Sequence, residues 1–298
     1  MEIKKITPKT ALLAMKYANV GLFYLNDEDV ILIDTGHIHE SKLLLEFLLE
    51  KSLKVKYIIN THGHIDHLGG NFILQDHFKC PIAMPYIDHI YCEDISRYYM
   101  SFSTSVVEGL TIYGDAKFET DLLIKETGAF EVCGEFFKNI ETPGHTYNHQ
   151  VIITPDGICF LGDAIMQYET LETAKFAVVT NINQQLKTIE KVANMNFEGF
   201  VIGHGENVLS TDDLPELAKA NRSYFIQKCQ EILFLIEPSI TFDHLMCHLN
   251  ERYGLRKNIF KYFVAERSIK AMLSFLESQG QIKIHIENGM LTYSRRQK

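Results

Sequence analysis

Residues Thr61 to Asn71 read Thr-His-Gly-His-Ile-Asp-His-Leu-Gly-Gly-Asn, which places His62, His64, Asp66 and His67 within six positions. Imidazole and carboxylate groups suit zinc, iron or manganese. Four such donors this close are too many for one catalytic ion that must keep a position open, so two ions are the economical reading. Three further residues share one setting: His145 in Thr-Pro-Gly-His-Thr, Asp163 in Phe-Leu-Gly-Asp-Ala and His204 in Val-Ile-Gly-His-Gly. Each stands in an apolar strand-loop context. Each also follows a glycine, which permits the sharp turn that aims a side chain into a shared cleft. His37, His39, His77, His89, His244, His248 and His285 fit no such pattern and read as ordinary polar groups. His149, four residues after His145, reads as a support for a ligand or as a structural group.

These residues need a scaffold, and the flanking sequence supplies one. Val55 to Ile59 is an apolar, β-branched run that reads as a buried strand ending at the histidine loop. Before it, Val20 to Leu25 and Val30 to Ile33 flank the turn-like Asn26-Asp27-Glu28-Asp29 and predict a hairpin. Glu40 to Lys51, with Leu43, Leu44, Phe47 and Leu48 at helical spacing, predicts an amphipathic helix. Further strands are expected over Gly134 to Ile140, Gln150 to Ile153, Ile158 to Leu161 and Gly199 to Ile202, with a helix near Asn183 to Asn194. Periodicity alone gives mixed α and β.

His-x-His-x-Asp-His followed by His, Asp and His in that order resembles the metallo-β-lactamase superfamily of hydrolases. Ile33-Asp34-Thr35-Gly36 is similar to that family's early Asp-containing turn. The resemblance implies an α/β (α+β) fold: a four-layer αββα sandwich, two mixed sheets between helical layers, with metals at one sheet edge. It further implies that His62, His64 and His145 hold one divalent ion, that Asp66, His67 and His204 hold the other, and that Asp163 bridges them. A hydroxide between the ions is then the nucleophile, Asp66 and Asp163 are catalytic, and Asp34 supports the loop and orients a ligand histidine from behind. Zinc is the expected metal; the same ligands accept manganese or iron. Glu206 has two readings, a proton relay or a loop-stabilising group. An Asp163 bridge alongside His67 departs from the antibiotic-hydrolysing members, so the expected substrate is an ester, thioester or phosphodiester.

The chain divides into a catalytic part, residues 1–210, and a helical part, residues 211–298. Asp213 as N-cap, Pro215 and Glu216 open a helix expected to reach Ile236. Thr241 caps a second helix ending near Gly254, and a third is expected over Phe263 to Gln279. Asn288-Gly289 between two alternating segments predicts a hairpin. Helices followed by a two-stranded wing resemble a winged-helix module, and the combination resembles the lactamase-beta-2-like endoribonucleases and hydrolases. Glu237 to Lys298 carries ten Lys or Arg against six Asp or Glu. Arg267, Lys270, Lys283, Arg295 and Arg296 are therefore the residues that could face nucleic-acid phosphates, although Arg267 and Lys270 alone on the third helix are too few for base readout. Packing or oligomerisation is the competing role for this tail. The leading expectation is thus a hydrolase of a small molecule or RNA. A nucleic-acid-binding or regulatory protein with a structural metal site, and a glyoxalase II-like thioesterase or lactonase, are the alternatives; the wing in place of a glutathione-binding helical tail tells against glyoxalase II.

Composition narrows the setting. A formal net charge of −9 argues against indiscriminate binding to polyanions. Six cysteines without close pairs suggest neither a disulfide framework nor a cysteine-zinc module. With no signal-like N-terminus and no apolar run of spanning length, a cytoplasmic protein without membrane contact is expected. Tyr86 to Asp121 is the least regular stretch. Either it walls or lids the cleft, with Tyr91, Tyr98, Tyr99, Phe102 and Tyr113 touching substrate, or it serves packing or a homodimer contact.

Overall fold

The computed structural model describes residues 1–94, 97–98, 116–205, 208–254 and 259–296. Among them, the apolar runs pair into two large sheets. The first orders β1 (Ile3–Lys5), β2 (Thr10–Leu13), β3 (Val20–Tyr24), β4 (Asp29–Ile33), β5 (Lys54–Ile59), β6 (Ile82–Pro85) and β7 (Leu122–Ile124) side by side in chain order. Pairing is antiparallel from β1 to β4 and parallel from β4 to β7. The second sheet contains β8 (Gly128–Val132), β9 (Glu135–Glu141), β10 (Gln150–Ile153), β11 (Ile158–Phe160), β12 (Gly199–Val201) and β13 (Val208–Leu209). There β11 and β12 are parallel and the other pairs antiparallel.

Strand alternation builds the layers. In β4, Ile31 and Ile33 turn toward the second sheet and share a buried cluster with Phe137, Ile152, Phe160 and Val201. Val30 and Leu32 point the other way and pack with Leu44, Phe47 and Leu48 of α1 (Ser41–Glu50). Both faces are covered, so these strands are apolar throughout instead of alternating with polar residues. Each fully buried Leu, Ile or Phe contributes about 1.5–3 kcal/mol relative to exposure, which makes this sandwich a firm base for groups at its edge. On the opposite side Val151, Ile153 and Phe200 meet the remaining helices, giving helix, sheet, sheet, helix.

Short helices α2 (Ile65–Leu68), α3 (Asn71–Phe78) and α4 (His89–Cys92) follow strands of the first sheet. The second helical layer holds α5 (Tyr168–Ala174), α6 (Ile182–Ala193), α7 (Leu214–Leu235), α8 (Phe242–Tyr253) and α9 (Ile259–Ser278). Its buried cluster joins Ile189 and Val192 of α6, Phe225 and Ile232 of α7, and Ile269 and Met272 of α9 to the second sheet. The apolar core therefore continues across residue 210. Among the described residues no helix is long and apolar enough to cross a membrane, and all six cysteines are free.

Three details of the C-terminal part differ from expectation. The hairpin of β15 (Ile282–Glu287) and β16 (Met290–Arg295) is joined by β14 (Ser239–Thr241), making three strands in place of a two-stranded wing. β14 is too short to show a period of its own and is recruited by pairing with β16. Asp213 stands at the start of α7, but its carboxylate reaches back to accept from the Ser210 N–H and hydroxyl, so Ser210 and Asp213 form the capping box over a preceding turn. Finally, α9 begins at Ile259, so Arg267 lies two turns inside it and not at its start. The Thr241 cap is as expected, accepting from the His244 N–H, and Gly254 ends α8 in the left-handed conformation.

Candidate metal centre

Topology brings the candidate residues to one edge. β4 and β5 are parallel, so Asp34 and the loop His62 to His67 leave the same end of the first sheet. β9 and β11 are both antiparallel to β10, and β12 is parallel to β11, so His145, Asp163 and His204 all leave one end of the second sheet. All seven expected ligands converge there. His62, His64 and His145 form one group, His62, His67 and Asp163 a second, and Asp66, His67 and His204 a third, with ligand atoms in each group within 4.8 Å of one another.

Hydrogen bonds fix which ring atom faces the centre. The Asp34 carboxylate accepts from the Thr61 N–H and hydroxyl, each at 2.8 Å, and from His67 Nδ1 at 2.8 Å. Because the Thr61 hydroxyl donates to Asp34, its oxygen accepts from His62 Nδ1 at 3.0 Å. His145 Nδ1 donates to the Val178 carbonyl at 2.9 Å, and His204 Nδ1 donates to the Tyr17 carbonyl. Four histidines are thus held in the tautomer that leaves Nε2 for a ligand. His64 differs, presenting Nδ1 at 3.1 Å from His62 Nε2 and 2.7 Å from His145 Nε2. Asp34 itself sits at φ 58°, a left-handed conformation that Asp tolerates better than most residues.

Asp163 lies between the groups. One oxygen is 3.2 Å from His145 Nε2, and the other is 3.4 Å from His67 Nε2 and 3.3 Å from His204 Nε2. His204 Nε2 is also 3.6 Å from the Asp66 carboxylate. Burial pushes His62 and His64 well below the usual histidine pKa and His145 down to about 4, so all three are neutral at pH 7. Burial acts in the same direction on His67 and His204, but the carboxylates around them prevail: His67 is raised well above its usual value by Asp163 and Asp34, and His204 to about 9, chiefly by Asp163. Asp163 is held well below the usual carboxylate range by His204, His67 and His145 despite the cost of burial.

A divalent ion fits this chemistry. His67 Nε2 and Asp163 Oδ1 are buried and lack hydrogen-bond partners, a costly state unless something else is coordinated there. Nε2 of His62 and Nε2 of His145 both converge on Nδ1 of His64, so three imidazole nitrogens meet at one point, as the ligands of a common cation do. The glycines before Asp163 and His204 serve close approach. A Cβ at Gly162 would stand 2.7 Å from both His149 Nε2 and Thr61 Oγ1, and one at Gly203 2.5 Å from Asp163 Oδ1.

Supporting residues emerge that the ligand spacing did not show. Buried Asp88 accepts from the Gly63 N–H at 2.8 Å, the Thr146 hydroxyl at 2.9 Å and the Tyr91 hydroxyl at 2.9 Å, tying together the loops that carry His62 and His145. His149 accepts from the Asp163 N–H at 3.0 Å through Nε2, while its Nδ1 donates to Thr142 Oγ1 at 2.8 Å. Of the irregular stretch, Tyr98 lines the cleft and accepts from the Ile65 N–H at 3.1 Å, whereas Tyr91 packs beneath the centre. Tyr99, Phe102 and Tyr113, like Glu206, lie outside the described residues. The five basic residues of the tail do not act as one set. Arg267 lines the cleft, Lys270 pairs with Glu266 at 2.6 Å, Arg295 donates to the Leu233 carbonyl, Arg296 donates to the Ile282 carbonyl, and Lys283 is exposed on β15.

Comparison with known proteins agrees with this geometry. The sequence profile of the metallo-beta-lactamase superfamily matches residues 15–205. A protein named "Probable metallo-hydrolase MJ0888", from Methanocaldococcus jannaschii, is 28% identical over 184 residues, 59% of this chain and 82% of that protein. Hydroxyacylglutathione hydrolase 1 of Vibrio vulnificus is 30% identical over 136 residues, covering 45% of this chain and 42% of the enzyme. In three dimensions, the crystal structure of the metallo-beta-lactamase family protein TTHA1429 from Thermus thermophilus superposes with a TM-score of 0.72 at 20% identity, covering 98% of this chain and all of that one. With the profile spanning most of the chain and every motif residue gathered at one sheet edge, this protein belongs to the metallo-beta-lactamase superfamily of hydrolases.

Proposed function

We propose that the protein is a dinuclear metal-dependent hydrolase cleaving an ester, thioester or phosphodiester. The observation that carries this reading is the position of Asp163 between two sets of nitrogen and carboxylate donors. His62, His64 and His145 would hold one ion and Asp66, His67 and His204 the other, with Asp163 offering an oxygen to each. When bound, such ions bring the pKa of a coordinated water to roughly 7 and polarise the group under attack.

The chain's own residues do the rest. Asp34, Thr61 and the carbonyls of Val178 and Tyr17 hold the ring tautomers, so the donors are set before substrate arrives. Asp88 and His149 fix the loops behind them. Asp66, the more open of the two carboxylates in the centre, faces the cleft and takes the catalytic role on the substrate side. The hydroxyacylglutathione hydrolases among the relatives favour a thioester of the three bonds. A nucleic-acid role gains less support, because Lys270, Arg295 and Arg296 already hold partners within the chain.

The test is hydrolysis by zinc-, manganese- and iron-loaded protein across a panel of thioesters, lactones and single-stranded RNA. Turnover that is abolished by a chelator and restored by metal is expected. No turnover on any member with any of the three metals would contradict the hydrolase reading.

A further inference from the structure

The C-terminal part contributes one wall of the cleft. The cavity, about 700 Å³, is lined on one side by His64, Asp66, His145, Asp163 and His204 and on the other by Tyr253 of α8 and Val264, Ala265 and Arg267 of α9. That volume is in the range of small-molecule sites, about 300–1,000 Å³. Arg267 is half-buried, and among the described residues it makes no hydrogen bond or ion pair. Its charge nevertheless bears on His64, His145 and Asp88. Asp88 feels that charge from a distance but forms no ion pair with it, its oxygens accepting instead from the Gly63, Thr146 and Tyr91 donors. A partly desolvated guanidinium without a carboxylate is an uncompensated cost to the folded chain. Its planar fork of donors matches carboxylate and phosphate oxygens. The rest of that wall is mainly apolar, with Met166, Phe176, Ala177 and Val264, and carries Lys175 and Lys261 as well.

We infer that Arg267 is the anchor for an anionic group, a carboxylate or a phosphate, on a small substrate with an apolar body, whose scissile bond then lies over the candidate metal centre. This deepens the proposed function and rests on it for the reacting end of the substrate. It gives the C-terminal part a place in the active site: α9 supplies recognition while the sheet edge supplies chemistry.

The test uses three probes sharing one phenylalkyl body, 4-phenylbutyrate, 3-phenylpropyl phosphate and 4-phenylbutyramide, titrated calorimetrically into the zinc-loaded full chain. Wild type is compared with Arg267→Ala and Arg267→Lys, each checked for unchanged metal content and thermal unfolding. Loss of the guanidinium should weaken one or both anions by about 10- to 100-fold. The amide should change less than about twofold and Arg267→Lys should retain part of the preference. The anion that loses more identifies the source, carboxylate or phosphate. Equal changes for all three probes, or for none, would overturn the anchor; so would an Arg267→Ala chain that keeps its metal and its full preference for the anions. Thioester hydrolysis is measured in parallel, which separates the two ideas. Absent turnover with the anion preference intact counts against the hydrolase alone, and turnover without any Arg267-dependent preference counts against the anchor alone.

Discussion

The two walls of the cleft are built on opposite plans. On the sheet side, seven candidate ligands follow rigid strand ends, five on loops and Asp66 and His67 on the short α2, and four histidines have their second nitrogen tied by a carbonyl, a hydroxyl or Asp34. On the helical side, Arg267 projects from α9 with no partner among the described residues. The contrast teaches how labour is divided: groups that must share an ion are fixed in advance, whereas a group that meets a variable ligand is left free to do so.

The rigid wall should show the largest loss on substitution. Asp163→Ala should leave the sandwich folded, because the side chain contributes to the centre and not to the apolar clusters. Hydrolysis should be lost, because the centre then lacks the one carboxylate placed to serve both ions. Turnover near wild type on a thioester, with circular dichroism unchanged, would remove Asp163 from the mechanism. A smaller effect is expected one layer behind. Asp34→Ala frees Thr61 and the Nδ1 of His67, and metal affinity should drop by about 10- to 100-fold. Competition with a chromophoric chelator measures this, and an unchanged affinity would mean that the loop holds its rings without Asp34.

Much of the rigid wall was legible in the sequence. Donor types, their spacing and the glycine before each of His145, Asp163 and His204 are local features. The strands that carry them are apolar runs that stop at a glycine-containing turn. Asp88 was not legible, since it lies 25 positions beyond Gly63 and is joined to it only by folding. β6, β7 and β14 have no chemistry-bearing turn to mark their ends and take their form from pairing with neighbouring strands. Arg267 is visible in the sequence as one of five charges that could face nucleic-acid phosphates, with packing as the competing role, and nothing local points it at the cleft. Its true direction depends on how α9 packs against α6 and α7, a long-range fact that no local pattern encodes.

Asp88 should act on stability, because it ties together the loops that carry His62 and His145. Asp88→Asn turns one of the acceptor oxygens into a donor facing N–H and O–H groups. The metal-free protein should lose about 1–3 kcal/mol in chemical denaturation. No change would show that the loops are held by the strands alone.

The smallest effect concerns protons. With His204 at about 9 and His67 also raised, both rings carry a proton at pH 7 in the ion-free protein. An entering cation must displace those protons, so affinity should rise with pH until about 9 as His204 loses its proton. Calorimetry of zinc binding in buffers of different ionisation enthalpy should register proton release at pH 7. A buffer-independent heat would contradict this charge assignment.

The proposed dinuclear centre at the sheet edge rests on His62, His64, His145, Asp163, Asp66, His67 and His204 together. Native mass spectrometry with elemental analysis of the protein reconstituted separately with zinc, manganese and iron addresses it most directly. Two ions per chain are expected with at least one of these metals, falling toward one in Asp163→Ala; at most one ion per chain with all three would rule out a dinuclear centre.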